Sequence, residues 1–258
     1  MDDQPPGYQE ATSSIPPSAA HAEAQAPLKG QDTRYAMLTL AGGDRIRLLR
    51  FPEPITAVIS EVTQQAWPKG IQAVRPAGES LEIKFKGNPF TYDGDPEKIA
   101  IRLVLLGVLD ALATEGWGVL PAAGGLGRLG KTDGTLVHKE NLIFRRVEPR
   151  SLSWLCLSFD SGNLLHLMRA TDQLATGIMA VFAGKVEQCN KDLVSGHFEI
   201  KLAGKPWNGS GDTGLLVMDL LQCLNDHGYI LGSSVELDGG NGGDSYKTNG
   251  EVWFCYRY

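Results

Sequence analysis

Glu82-Ile83-Lys84-Phe85-Lys86-Gly87-Asn88-Pro89-Phe90 returns later in the chain as Glu199-Ile200-Lys201-Leu202-Ala203-Gly204-Lys205-Pro206-Trp207. The flanks return with it. Leu38-Thr39-Leu40 matches Leu157-Ser158-Phe159, and Ile46, Leu48 and Arg50 match Leu165, Leu167 and Arg169. Further on, Gly116-Trp117 matches Gly228-Tyr229, and Leu142-Ile143-Phe144 matches Val252-Trp253-Phe254. The distance between the copies far exceeds the roughly 20–50 residues of a solenoid repeat, so a whole small domain has been duplicated. The duplication constrains the fold strongly and the activity hardly at all.

The first copy runs from 34 to 148. Met37-Leu38-Thr39-Leu40 and Arg45–Arg50 are strands around the turn Ala41-Gly42-Gly43-Asp44. Pro52-Glu53-Pro54 opens a helix whose Ile55, Val58, Ile59 and Val62 follow helical spacing. Ile71–Val74 and Leu81–Lys86 are strands, the second with Leu81, Ile83 and Phe85 on one face and Glu82, Lys84 and Lys86 on the other, solvated one. Asp95-Pro96-Glu97 starts a second, very apolar helix that Gly116 ends, and Val119-Leu120 and Asn141–Arg145 close the copy. The second copy, 151–258, repeats this order. The expected fold is α+β, two tandem copies of a two-layer ββαββαββ unit with antiparallel sheets. Only Pro149-Arg150 separates them, so they are expected to pack together as a pseudo-dimer.

Composition excludes more than it proposes. A chain of 258 residues, 42% hydrophobic, can bury a substantial core. Its net charge of −6 argues against nucleic acid as a partner. The four cysteines, Cys156, Cys189, Cys223 and Cys255, show no C-x-x-C spacing. They read as free thiols of a reducing compartment, with no zinc site. Met1-Asp2-Asp3-Gln4 opens no signal peptide, and the run Val104–Leu109 is too short to span a bilayer. The expected location is cytoplasmic or nuclear, without membrane insertion.

Gly125-Leu126-Gly127-Arg128-Leu129-Gly130-Lys131-Thr132 satisfies the P-loop pattern, in which backbone amides and Lys hold phosphates and Thr binds magnesium. A true P-loop is followed by a helix, whereas Asp133-Gly134 and strand-like Leu142-Ile143-Phe144 follow here. The second copy carries a glycine-rich stretch at the same place, 238–243, without the motif. A loop between strands accounts for both, and Gly125, Gly130, Lys131 and Thr132 remain the alternative, nucleotide-binding set. The twice-used Gly-x-Pro-[Phe/Trp] element is expected to end a strand and cap the core with Phe90 or Trp207. No histidine (His21, His138, His166, His197, His227) sits in a metal or hydrolase pattern. His166 and His197 stand where the first copy has Arg47 and Ser80. The sequence nominates no catalytic residue, metal or cofactor.

Residues 1–33 are rich in Pro, Ala, Gln and Ser and read as disordered. They carry Pro5-Pro6-Gly7-Tyr8, a P-P-x-Y motif. Its prolines preset polyproline II, so docking in an aromatic groove loses little entropy, and Tyr8 supplies the anchor. The duplicated pattern, with its closing Leu-Ile-Phe-Arg and Trp-Phe-Cys-Tyr-Arg strands and this tail, resembles uncharacterised fungal tandem-repeat proteins, which imply no activity. The P-P-x-Y segment resembles ligands of the WW domains in HECT-type ubiquitin ligases of the Nedd4/Rsp5 kind, which implies such a partner. The expected function is a non-enzymatic adaptor whose Pro5, Pro6 and Tyr8 recruit a WW-domain protein. The alternatives are a small-molecule or lipid-binding module, with its site between sheet and helices or between copies, and an NTP-dependent enzyme using 125–132.

Overall fold

A computed structural model describes residues 33–90, 95–121, 139–192, 196–207, 213–237 and 251–258. The first copy comprises β1 (Tyr35–Ala41), β2 (Arg45–Leu49), α1 (Glu53–Ala66), β3 (Ile71–Ala77), β4 (Ser80–Phe85), α2 (Asp95–Thr114), β5 (Trp117–Val119) and β6 (Lys139–Arg146). The second comprises β7 (Ser153–Asp160), β8 (Leu164–Met168), α3 (Asp172–Val181), β9 (Val186–Asp192), β10 (His197–Leu202), α4 (Thr213–Asp226), β11 (Ile230–Glu236) and β12 (Glu251–Arg257). Each copy makes a six-stranded antiparallel sheet, ordered β3-β4-β2-β1-β6-β5 and β9-β10-β8-β7-β12-β11. Position for position the two orders are identical. The duplication reaches the backbone torsions: Arg50 and Arg169, just past β2 and β8, both take φ 61°. That left-handed conformation is uncommon for a non-glycine residue.

One detail of the sequence alignment shifts by a residue. Leu38 pairs with Leu142, and its counterpart Leu157 pairs with Trp253. Leu142 therefore corresponds to Trp253, not Val252. The cause is burial: Val252, Trp253, Phe254 and Cys255 are all enclosed, so β12 lacks the apolar–polar alternation that would mark its register.

Leu38, Leu40, Ile46, Ile83 and Phe85 turn one face of the first sheet toward α1 and α2. Leu157, Phe159, Leu165 and Ile200 do the same for the second sheet beneath α3 and α4. Phe90 and Trp207 close the two cores as expected, edge-on to Phe85 and Phe159 respectively. The copies pack directly on each other, and the contact is a stack. The opposite face of the second sheet (Trp154, Cys156, Met168, Val252, Phe254) joins the core of the first copy across α2. The layers run α3/α4, second sheet, α1/α2, first sheet. This explains why α2 is apolar around most of its circumference: it is covered on both sides.

The outer face of the first sheet mixes charged residues with the partly exposed Tyr35, Met37, Leu49 and Ile143, and one residue there departs from expectation. Glu82 is 1% exposed, beneath Arg47 (Nε–Oε2 3.0 Å) and Arg75 (Nη2–Oε1 3.0 Å). Burial pushes its pKa up, but the two arginines' hydrogen bonds outweigh that and hold it below the usual range.

Candidate functional site

The most concentrated polar chemistry lies where α2 crosses the second sheet. Ser158 and Asp160, two apart on β7, share a face of the sheet. That face is roofed by α2, from which Arg102 descends, 1% exposed. Its guanidinium binds Asp160 as a two-pronged fork, Nη1–Oδ2 3.0 Å and Nη2–Oδ1 2.6 Å. The Ser158 hydroxyl donates to Asp160 Oδ2. His166, opposite Ser158 in the β7–β8 ladder, places Nε2 3.5 Å from the same oxygen.

His166 Nδ1 lies 2.7 Å from His197 Nε2 on β10. The rings are 12° from parallel with centroids 4.9 Å apart. With nitrogens that close, the rings lie edge to edge in nearly one plane, joined by an N–H···N bond. The network assigns the tautomers: His197 Nε2–H donates to His166 Nδ1, leaving the His166 Nε2 proton directed at Asp160.

Burial raises the Asp160 pKa, and the Arg102 charge and hydrogen bonds more than reverse it, so the carboxyl sits below the ordinary range. Burial drives His166 down to about 4 against the opposing pull of Asp160. It also lowers His197, with Glu199 and Asp192 opposing. At neutral pH the group is thus one guanidinium, one carboxylate and two neutral imidazoles. It is not a hydrolase triad. In such a triad the histidine bridges serine and aspartate, whereas Ser158 here bonds the carboxylate itself and is fully enclosed. The geometry ties the second copy to α2.

At the far end of the seam from this cluster, Trp117, Arg150, Leu152, Trp154, Tyr256 and Tyr258 line a cleft of about 140 Å³. Arg150 Nη1 donates to the Tyr258 hydroxyl (3.0 Å). The buried indole N–H groups of Trp117 and Trp154 have no hydrogen-bond partner among the described residues. Buried N–H groups of that kind are uncommon.

Sequence reasoning passed over this cluster, since His166 and His197 stood at positions exchanged between copies. A signal was present. Trp154-Leu155-Cys156-Leu157 is apolar on both faces, the pattern of a sheet covered on both sides. A polar residue continuing such a strand must find a buried partner, and Arg102 is, with Lys98, one of two buried cations on the long apolar helix α2. The nominated residues fare otherwise. Gly125, Gly130, Lys131 and Thr132, like Pro5, Pro6 and Tyr8, lie outside the described residues, which resume at Lys139 as strand β6. All four cysteines are free, with Cys156, Cys223 and Cys255 buried and Cys189 exposed. Burial pushes the Cys255 thiol up to about 12. His227 sets Nδ1 2.8 Å from the Cys223 carbonyl oxygen at the end of α4. Among the described residues no group of three or more His, Cys, Asp and Glu side chains could hold a metal ion, and no helix is long and apolar enough to cross a membrane.

One domain-family model, which specifies no activity, matches the chain in two segments, residues 34–126 and 153–256, one in each copy. No curated protein matches. Among solved structures, the chain is similar to the crystal structure of a conserved kinetoplastid-specific protein from Trypanosoma cruzi. Identity is 14% and the TM-score 0.29, over 44% of this chain and 95% of that one.

Proposed function

The chain belongs to the domain family matched in both of its copies, and we propose that it is a non-enzymatic interaction protein of the cytoplasm or nucleus that recruits a WW-domain partner, such as a HECT-type ubiquitin ligase, through Pro5, Pro6 and Tyr8. The observation that carries this is Pro5-Pro6-Gly7-Tyr8 itself, in a proline-rich segment preceding a folded body that starts at β1. The prolines restrict the free peptide to a conformation near the bound one, and the Tyr8 ring fills the remaining pocket. Four free cysteines support a reducing compartment. A short peptide buries little surface, so affinity is micromolar-class, about −8 kcal/mol or weaker. Titration of a peptide spanning 1–15 against a panel of WW domains tests it. Tyr8→Ala lowers affinity roughly tenfold or more, because aromatic anchors dominate small interfaces. If no domain binds, or the variant binds equally, the partner assignment is lost.

A second reading, a small-ligand module, has support in the seam cleft. Its volume suits a single aromatic ring, its walls are aromatic, and Arg150 would receive an anionic group. Benzoate is a simple probe by calorimetry. Binding that Arg150→Ala abolishes keeps this reading, and absence of heat removes it.

A further inference from the structure

We infer that the protein associates head to tail with a second copy of itself, the outward face of α4 in one molecule seating on the outward face of the first sheet in the next. The template is the seam already inside the chain. Arg102, Leu106 and Asp110, spaced four apart, form one stripe along α2. Arg102 binds Asp160, and Asp110 binds Arg169 at 3.2 Å, so the stripe faces the second copy. Leu106, between them, is fully buried.

The duplication gives these residues counterparts that nothing among the described residues covers. The helix ends match, Gly116 N–H donating to the Ala113 carbonyl as Gly228 donates to that of Asn225. Met218 therefore stands at the position of Leu106, and Leu215 at that of Leu103. They are 63% and 68% exposed, large apolar side chains on the outside of the stack. At the other end the ladder pairings set Tyr35, Met37, Leu49 and Ile143 at the positions of Trp154, Cys156, Met168 and Phe254. Tyr35 is 55% exposed and the other three are half-buried. Both free faces thus keep apolar residues where the internal seam has them, although a stack of repeats normally ends in polar caps.

Charge agrees with this occupant. Arg45, Arg47, Arg75 and Lys84 surround Glu82 and Asp44 on the outer sheet, while Asp219 and Asp226 are exposed on α4. A basic face meets an acidic one. The buried ion pair is not reproduced, since Gly214 replaces Arg102 and Ala41 replaces Asp160, so the contact between molecules is weaker than the internal seam and reversible. Because the two faces differ, the contact is heterologous and open-ended.

Sedimentation of the full chain over a wide concentration range tests this. The mass should rise with concentration beyond a dimer and fall at high salt, as screening weakens the charge term. Met218→Asp blocks the helix end and Tyr35→Asp the sheet end. Both sites are exposed, and circular dichroism melts confirm that each variant folds. Each variant alone should associate at least roughly tenfold more weakly. An equimolar mixture should recover association but stop at a dimer, since one good face remains on each partner. A wild-type chain that stays monomeric overturns the proposal. So does a closed symmetric dimer, or a mixture that recovers nothing.

Discussion

Arg102 shows how much a single side chain can decide here, because it is a full charge at 1% exposure beneath a second domain. Such a pair adds little net stability over an apolar replacement, but losing one partner leaves an uncompensated charge, at about 3–5 kcal/mol. Arg102→Met should lower the unfolding free energy by that amount in urea, and adding Asp160→Leu should restore part of it. His166 gives the site a pH signature. Its folded pKa of about 4 lies below the ordinary 6.5, so between those values the unfolded chain holds a proton that the native state does not. Stability from this group is complete above about pH 6.5 and declines toward pH 4, by about 3 kcal/mol in all. Asp160, also depressed, extends the decline below the ordinary carboxylate value of 3.8 as it is protonated in its turn. Urea midpoints measured at neutral pH and near pH 4.5 should therefore diverge in the native protein and differ by less in His166→Gln, the remainder including the lowered His197.

The duplicated elements offer a controlled comparison, the same position in two environments. Leu106 on α2 and Met218 on α4 are counterparts, one fully buried and the other 63% exposed. Leu106→Ala should cost about 2–5 kcal/mol, since it opens a cavity between two layers. Met218→Ala should stay within about 0.5 kcal/mol in the monomer. Equal losses would mean that α2 is not the shared layer. The same comparison explains what the sequence made legible. β4 alternates cleanly, so its core face of Leu81, Ile83 and Phe85 could be read directly. β7 and β12 are apolar on both faces, which blurs periodicity, and the register of β12 became definite only through its pairing with β7. The Arg102–Asp160 pair spans 58 residues and depends on how the copies stack. No local pattern encodes that stacking.

At the scale of the whole molecule, the stack predicts how it unfolds. If each copy enclosed a private core, a short linker would still leave two domains melting separately. Instead α2 belongs to both: its inner side completes the core of the first copy, and its outer stripe covers Trp154, Cys156, Met168 and Phe254 of the second. Separating the copies would expose those side chains to water, at about 1.5–3 kcal/mol for each large one, and would strand Arg102 and Asp160 apart. A loss on that scale is a sizeable fraction of an ordinary domain's total stability of about 5–15 kcal/mol. The copies should therefore unfold together, as one calorimetric transition whose van't Hoff enthalpy equals the measured enthalpy. The second copy expressed alone, residues 151–258, should keep α3 and α4 over its inner face yet aggregate through the uncovered outer one. Cys156 supplies the readout. It is fully enclosed in the whole chain and should resist alkylation while exposed Cys189 reacts. In the isolated copy both should be modified at comparable rates. Two resolved calorimetric peaks, or a soluble isolated copy whose Cys156 stays protected, would mean that the second sheet does not depend on α2.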